Sequence, residues 1–238
     1  MSCFSQSIGD LRDCELSARI ADDPVTRRDA FSLRYRGYVS GGYIKASEAE
    51  LFHDDYDDGH CSNTIVVYAG YDAIASARVS LMDVEDGVAA ISPLPAYAVF
   101  PDKINALVQQ VPQAGRPRRA AEVTRLVRHP GFAEHQGLVL LLLRLLGYVI
   151  VELEADILLA CVRRNHVPFY RKLGLQKIAG PRLYPNLNFE TYLLARPCRD
   201  LSDAHRVRPA LHIDDATRSS YAGLFEGKAV SVSMEACA

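Results

Sequence analysis

Residues 123–133, VTRLVRHPGFA, predict the end of a β-strand, a turn and the start of a helix. Gly131 lets the backbone approach a ligand closely. The first turn of the helix would present unpaired N–H groups and the positive end of the helix dipole. Such a turn suits a pantetheine or pyrophosphate group, although a plain strand-to-helix turn would carry the same residues.

A second stretch, residues 165–175 with the sequence NHVPFYRKLGL, predicts a short helix that ends at Gly174. The hydroxyl of Tyr170 would be able to donate a proton to a departing thiolate. The alternative is a core tyrosine with one satisfied hydrogen bond.

Hydrophobic periodicity around these two stretches predicts alternating helices and strands. This order indicates an α/β (α+β) fold with a single central mixed sheet flanked by helices. The predicted helices are Val25–Tyr38, a short one near Asp102–Val111, Ala133–Leu153 and 165–173; the predicted strands are Thr64–Ala69, Ala73–Leu81, Ala120–Arg128, Asp156–Val162, Leu175–Ala179 and Glu190–Ala195.

The pattern divides the chain into three parts. Residues 1–24 are polar and are expected to form a loose N-terminal arm. Residues 25–197 are expected to form the compact domain. Residues 198–238 are expected to be an extension of unknown role.

Composition excludes several classes of protein. The net charge of −2 over 238 residues argues against nonspecific nucleic-acid binding and a polybasic membrane anchor. The longest apolar run, residues 137–151, contains Arg144 and is shorter than the roughly 20 residues of a membrane span. Six cysteines without a CxxC pair, and an N-terminus without an apolar signal region, predict a cytoplasmic protein with reduced thiols.

Polar residues recur at positions that suggest a site. Arg34 and Tyr38 share a helix face, and Asp54 and Asp57 lie in an acidic loop whose alternative role is a solvated surface. Arg78 is in a hairpin strand, and the strand before the turn carries Glu122 and Arg125. His53 and His60 flank the acidic loop without a third ligand at suitable spacing, so no metal site is expected.

Glu122 and Arg125 would lie on opposite faces of a regular strand. They can share a site only if a bulge intervenes. The arginines at 78 and 125 would either bind substrate or hold Asp54, Asp57 and Glu122 in a buried ion network. Cys161, a conceivable nucleophile, lies in an apolar strand and is expected to be a small core residue.

The two stretches together resemble the GNAT superfamily of acyltransferases. Arg128-x-x-Gly131-x-Ala133 is similar to its carrier-binding signature, and the segment from Asn165 to Gly174 is similar to its late helix. The resemblance implies a bulge in the strand that holds Glu122. It also implies that Arg128, Gly131 and Ala133 bind the pantetheine arm of an acyl thioester.

The ordered polar series resembles the autoinducer (N-acyl homoserine lactone) synthases and the related N-acyl amino acid synthases. It comprises Arg34 and Tyr38, Asp54 and Asp57, Arg78, and Glu122 with Arg125. Autoinducer synthases carry a tryptophan after the first helix, whereas this chain has none and places Tyr43 or Ile44 there. The segment 169–186 is more similar to the N-acyl amino acid synthases.

The resemblance implies an enzyme that moves a long-chain acyl group from an acyl carrier protein thioester to the amine of an amino acid. Glu122 would be the general base and Tyr170 the acid, and the other residues of the polar series would bind substrate. Neither a permanently bound cofactor, a metal, a nucleic-acid partner nor a membrane span is expected. The alternatives are a homoserine lactone synthase that uses S-adenosylmethionine, a CoA-dependent acetyltransferase, and a non-catalytic acyl-binding module.

Overall fold

The computed structural model describes residues 11, 14–58, 61–85, 88–90, 94–112, 115–184, 187–198 and 213–234. One mixed sheet with helices on both faces organises these residues. Its strands are β1 (Leu16–Ile20), β2 (Ser62–Ala69), β3 (Asp72–Glu85), β4 (Val88–Ala90), β5 (Arg118–Arg128), β6 (Ile157–Val162), β7 (Gln176–Leu183), β8 (Glu190–Pro197) and β9 (Val230–Val232). The helices are α1 (Pro24–Ser40), α2 (Pro95–Val99), α3 (Pro101–Gln109), α4 (Gln136–Glu152), α5 (Val167–Lys172) and α6 (Asp215–Tyr221).

The strand order is β7-β8-β6-β5-β3-β2-β1-β9, and β4 pairs with β3. Neighbouring strands are antiparallel except β5 and β6, which are parallel. The predicted fold class, one central mixed sheet flanked by helices, is confirmed. The parallel pair at the middle of the sheet matters most for the site, because its two strands run side by side for only part of their length.

Helix α4 supplies the core on one face of the sheet. Its leucines at 138, 141, 142 and 145 are fully buried against the central strands. Burying a leucine side chain completely stabilises a fold by about 1.5–3 kcal/mol compared with leaving it exposed to water. Within the described residues, no helix has both the length and the apolarity to cross a membrane.

Helix α1 begins where the sequence indicates. The carboxylate of Asp23 accepts hydrogen bonds from the N–H groups of Val25 and Thr26 at 2.8 and 3.0 Å, which caps the free end of the helix. Helices α1, α2 and α3 lie on the sheet face opposite α4, where Leu33 of α1 and Ile104 of α3 are buried. The predicted helix near Asp102–Val111 corresponds to α3.

The structure corrects the prediction for the N-terminal arm. Residues 16–20 form β1, which pairs with β2 and β9, instead of an irregular segment. Leu16 and Ala18 point into the core while Arg19 is exposed. Only these two buried apolar residues alternate with polar ones in the strand. An alternation this short is not enough to predict a strand from the sequence. Residues 1–10 of the predicted arm lie outside the described residues.

The C-terminal extension also has ordered structure over residues 213–234. Strand β9 continues the sheet beside β1, and α6 packs on α4 through the rings of Tyr221 and Tyr148, 5.6 Å apart. The Nη2 atom of Arg144 donates a hydrogen bond to the hydroxyl of Thr217 at 2.8 Å. This contact accounts for the charged residue in the apolar middle of helix α4. The boundary at 197/198 stays a prediction.

Candidate active site

A cleft of about 520 Å³ opens where β5 and β6 separate. The two strands pair from Ala120 and Ile157 as far as Val123 and Ala160. Beyond that point their facing edges diverge, and both line the cleft. Backbone groups at such an opening can bind a ligand because they are not used up in pairing between the two strands. The other cleft-lining residues include Tyr38, Tyr43, Gln136, Val139, Arg163, Phe169, Tyr184, Leu187 and Phe189.

Strand β5 is irregular beside this opening. The pairing with β3 shifts between Ser76 and Arg78, so three residue steps on β5 face two on β3. Arg125 lies at this shift with a positive φ of 54°, a conformation that non-glycine residues seldom adopt. The bulge that the family resemblance implied is therefore present. It turns the side chain of Arg125 toward the α1 side of the sheet, where it meets Asp54 and the ring of Tyr184.

Three arginines and two aspartates form a buried ion network on that side. Arg34 donates to both carboxylate oxygens of Asp57 at 2.7 Å. Arg78 joins Asp54 and Asp57 at 2.6 and 2.8 Å. Arg125 pairs with Asp54 through Nε, at 3.0 Å, and through Nη2. The exposure of all five side chains is between 0% and 2%, so the alternative of a solvated acidic surface is wrong for these two aspartates.

The network favours the structural alternative for Arg78. Arg34, which was predicted to bind substrate, belongs to the same network, and both side chains are fully enclosed and are not among the cleft-lining residues. Burial opposes ionisation of Asp54, but hydrogen bonds and charges from Arg78 and Arg125 outweigh it and hold the pKa of this carboxyl well below its usual range. Arg125 and Tyr38 line the cleft, so of the predicted substrate-binding residues these two are placed to reach a ligand.

Glu122 is fully buried beside the network. One carboxylate oxygen accepts a hydrogen bond from the N–H of Ala96 at 2.7 Å, and the other accepts one from the hydroxyl of Tyr184 at 3.2 Å. Burial raises the pKa of Glu122 to about 7, against the opposing effects of Ala96, Arg78, Tyr184 and Arg125. A carboxyl with such a pKa can accept a proton near neutral pH.

The turn at residues 128–133, which was predicted to bind the pantetheine arm and is called the carrier turn below, lies at one end of the cleft. A 3-10 helix, Pro130–Phe132, joins β5 to α4, so α4 starts at Gln136 and not at the predicted Ala133. Arg128 and Ala133 line the cleft. Gly131 is not among the lining residues, and its N–H donates to Nδ1 of His129 at 3.2 Å.

Helix α5 closes the cleft on the β6 side. Tyr170 lines the cleft, and burial raises its pKa to about 12. The phenol is therefore protonated at neutral pH and able to donate. The thiol of Cys161 also lines the cleft, and burial, followed by the charge of Glu122, raises its pKa. Since the thiolate is the reactive form of cysteine, this thiol is a poor nucleophile.

A family model described as N-acyl amino acid synthase FeeM matches residues 29–197. The chain belongs to this family. It is an N-acyltransferase with a GNAT-type fold. No curated protein matches the sequence.

Solved structures agree with the FeeM-family assignment at the level of the fold. FeeM from uncultured soil microbes is 17% identical, with a TM-score of 0.63 over 79% of this chain and 93% of that one. The autoinducer synthase LasI is 12% identical, with a TM-score of 0.54 over 78% and 91%. BjaI, a CoA-dependent acyl-homoserine lactone synthase, is 16% identical, with a TM-score of 0.53 over 76% and 81%.

Three cleft residues of this FeeM-family chain were not singled out as site residues from the sequence: Tyr184, Arg163 and Phe189. The ring of Tyr184 stacks on Phe189, with centroids 6.2 Å apart and planes 10° apart. Arg163 donates to the hydroxyl of Tyr43 and lies over its ring. Tyr43, in the region where autoinducer synthases carry tryptophan, thus links the segment after α1 to the end of β6. Only the tertiary structure brings these distant residues together.

No group of three or more metal-ligating His, Cys, Asp or Glu side chains occurs among the described residues. The ring of His53 packs against that of Phe31 in a tilted arrangement, with 5.4 Å between the ring centroids. His60 lies outside the described residues.

Proposed function

We propose that the protein transfers a long-chain acyl group from an acyl carrier protein thioester to the amine of an amino acid. The observation that carries this proposal is the cleft between the diverging ends of β5 and β6, with the carrier turn at one end and the Tyr184–Glu122 pair beside it. The family description, N-acyl amino acid synthase, supports an amino acid as acceptor.

The cleft suits direct attack of the amine on the thioester carbonyl. Backbone N–H groups at the opening of β5 would stabilise the oxyanion of the tetrahedral intermediate. Glu122 would accept a proton from the acceptor amine, and Tyr170 would protonate the departing thiolate. We further propose that Arg125 and Tyr38 orient the acceptor, because both line the cleft, and that Arg128 and Ala133 contact the pantetheine arm.

The cleft surface favours a long acyl chain over acetyl. Apolar and aromatic side chains contribute much of its lining, among them Val127, Val139, Phe169, Leu187 and Phe189. Each methylene group of an acyl chain that is buried against this surface would make binding more favourable by about 0.8 kcal/mol.

Charge near the cleft favours an acidic carrier protein as donor. Residues 157–189 contain no Asp or Glu and six basic residues. Within this segment Arg164, Arg171 and Lys172 are exposed. Arg164 lies between cleft-lining residues in the turn before α5, and the other two follow the cleft-lining Tyr170 in α5. None of these three side chains pairs with a carboxylate in the part of the chain that the structure describes. Burial, followed by the charges of Arg163 and Arg128, lowers the pKa of His166 at the same end of the cleft.

The donor and the acceptor are tested in one experiment. Purified protein is incubated with dodecanoyl or hexadecanoyl carrier protein, the matching acyl-CoA, or acetyl-CoA. Each donor is combined with the amino acids or with S-adenosylmethionine, and the products are analysed by mass spectrometry. We expect an N-acyl amino acid from the carrier thioester. A homoserine lactone, acetylation alone, or no product with any pair would contradict the proposal.

The three exposed basic residues Arg164, Arg171 and Lys172 form the proposed docking surface for the carrier protein. Reversing a charge on this surface gives a separate prediction. Arg171→Glu and Lys172→Glu are each expected to lower kcat/KM with acyl carrier protein about 10-fold at low salt, a change of about 1.4 kcal/mol. The reason is that charges at the rim of an interface act on association and on its salt dependence. With an acyl-pantetheine donor both variants should match the wild type.

Lys103→Glu is the matched control, since Lys103 is an exposed cation on α3, on the sheet face opposite α4. It should leave both donors unaffected. Equal losses with carrier protein and with acyl-pantetheine in the α5 variants would argue against a docking surface.

A further inference from the structure

Glu122 is shielded from the cleft that it is proposed to serve. Its side chain has no exposed surface, and it is not among the cleft-lining residues, whereas Tyr184 is. Both of its carboxylate oxygens are occupied, by the N–H of Ala96 at 2.7 Å and the hydroxyl of Tyr184 at 3.2 Å. An amine in the cleft therefore meets Tyr184 before it can meet Glu122.

We propose that Tyr184 is a catalytic residue that contacts the acceptor amine and relays its proton to Glu122. This inference rests on the proposed acyl transfer and names the group that touches the acceptor. The acceptor ammonium gives a proton to the phenol oxygen while the phenol proton moves to the carboxylate of Glu122. The neutral amine then attacks the thioester, Tyr170 protonates the departing thiolate, and the second amine proton restores the hydroxyl of Tyr170. Glu122 returns its proton through Tyr184 to water after the product has left.

The surroundings of Tyr184 suit a relay with a fixed geometry. Its ring stacks on Phe189, and the guanidinium of Arg125 lies 5.7 Å from the ring centre. Its backbone N–H donates to the carbonyl of Phe189 at 3.2 Å. A phenol held in this way can exchange one proton for another without moving.

The phenol also stays neutral in this position. Burial, followed by the charge of Glu122, raises the pKa of Tyr184 well above its usual value. A neutral hydroxyl is both donor and acceptor, which a relay requires, whereas a phenolate would be an acceptor alone. The positive charge of Arg125, which opposes this shift, would stabilise any transient negative charge on the oxygen.

Tyr184→Phe tests the relay because it keeps the ring and removes the hydroxyl. We expect kcat to fall about 100-fold at pH 7, within the range for loss of a proton-transfer group. In the wild type the rate should rise with pH through an apparent pKa near 7, the value for Glu122. In the variant the rise of the rate near pH 7 should disappear. The rate should then increase only as the pH approaches the pKa of the free acceptor amine.

Tyr68→Phe is the matched control. Tyr68 is a buried tyrosine whose hydroxyl donates to the carboxylate of Asp29 at 2.8 Å, and it is not a cleft residue. Its substitution removes the same type of bond and should cost similar stability without a change in the pH profile. Activity near the wild-type level in Tyr184→Phe would overturn the relay.

Two further measurements separate a relay from a structural role. If Tyr184 acts through Glu122, the double variant Tyr184→Phe/Glu122→Gln should lose no more than Glu122→Gln alone, whereas multiplied losses would overturn the relay. An acceptor analogue whose amine pKa lies below 7 should restore most of the activity of Tyr184→Phe, because its amine is already neutral. A defect that persists with this analogue would likewise count against the relay. A wild-type protein that transfers nothing points to failure of the proposed function itself.

Discussion

Glu122→Gln is expected to lower kcat/KM by about 10²–10⁴-fold, the range for loss of a general base. The substitution keeps the size of the side chain and an oxygen that can accept the N–H of Ala96. It removes the group that takes up the proton. The loss should be measured as a rate of N-acyl amino acid formation with saturating acyl thioester, across pH 5–9.

The same substitution should raise stability at alkaline pH. The native pKa of Glu122 is raised from 4.5 to about 7, so the folded state holds a proton that the unfolded chain has lost. Stability from this group is fully present below pH 4.5 and is lost as the pH rises through 7. At pH 8 the buried carboxylate costs on the order of 3 kcal/mol, which a neutral glutamine avoids.

A catalytic and a structural role therefore predict opposite results for Glu122. A variant that is inactive and more stable at pH 8 than the wild type supports the catalytic role. A variant that is inactive and less stable supports a structural one. Glu190→Gln, at the exposed start of β8, should leave the activity unchanged.

Local pattern predicts much of this fold because most of the elements carry a strong local signal. Helix α1 has its Asp23 cap, and α4 and β6 have long apolar runs. Strands β1 and β9 escape prediction because strands of five and three residues depend on partners far away in the chain.

The site is only partly readable from the sequence for a related reason. Glu122, Arg125 and the two aspartates stand at recognisable spacings in the sequence. The bulge at Arg125, however, was predicted only from the resemblance to a family, because no pattern in the residues indicates it. The contact between Tyr184 and Glu122 joins residues 62 positions apart. It depends on where the folded sheet places the residue that follows β7 relative to the middle of β5, which no local periodicity encodes.

Asp54→Asn is expected to destabilise the fold by about 3–5 kcal/mol, the cost of removing one member of a buried ion pair. Asp54 accepts hydrogen bonds from both Arg78 and Arg125. An amide would remove the carboxylate partner of the buried Arg125 and would leave Arg78 with Asp57 alone. The measurement is urea unfolding at pH 7. Asp83→Asn is the matched control, because Asp83 pairs with Arg119 at 3.2 Å on a partly exposed surface, where ion pairs contribute roughly 0–1 kcal/mol.

The pH dependence of this deficit identifies its origin. The pKa of Asp54 is lowered in the folded state, so its contribution is present above its unfolded pKa of about 3.9 and is lost only as the pH falls below that value. The loss of stability in Asp54→Asn should therefore be constant from pH 8 to pH 5, in contrast to the effect at Glu122.

Because Asp54 also fixes Arg125 over the ring of Tyr184, transfer activity should fall even where the variant is folded. Full activity in the folded variant would show that the network stabilises the protein without orienting the site.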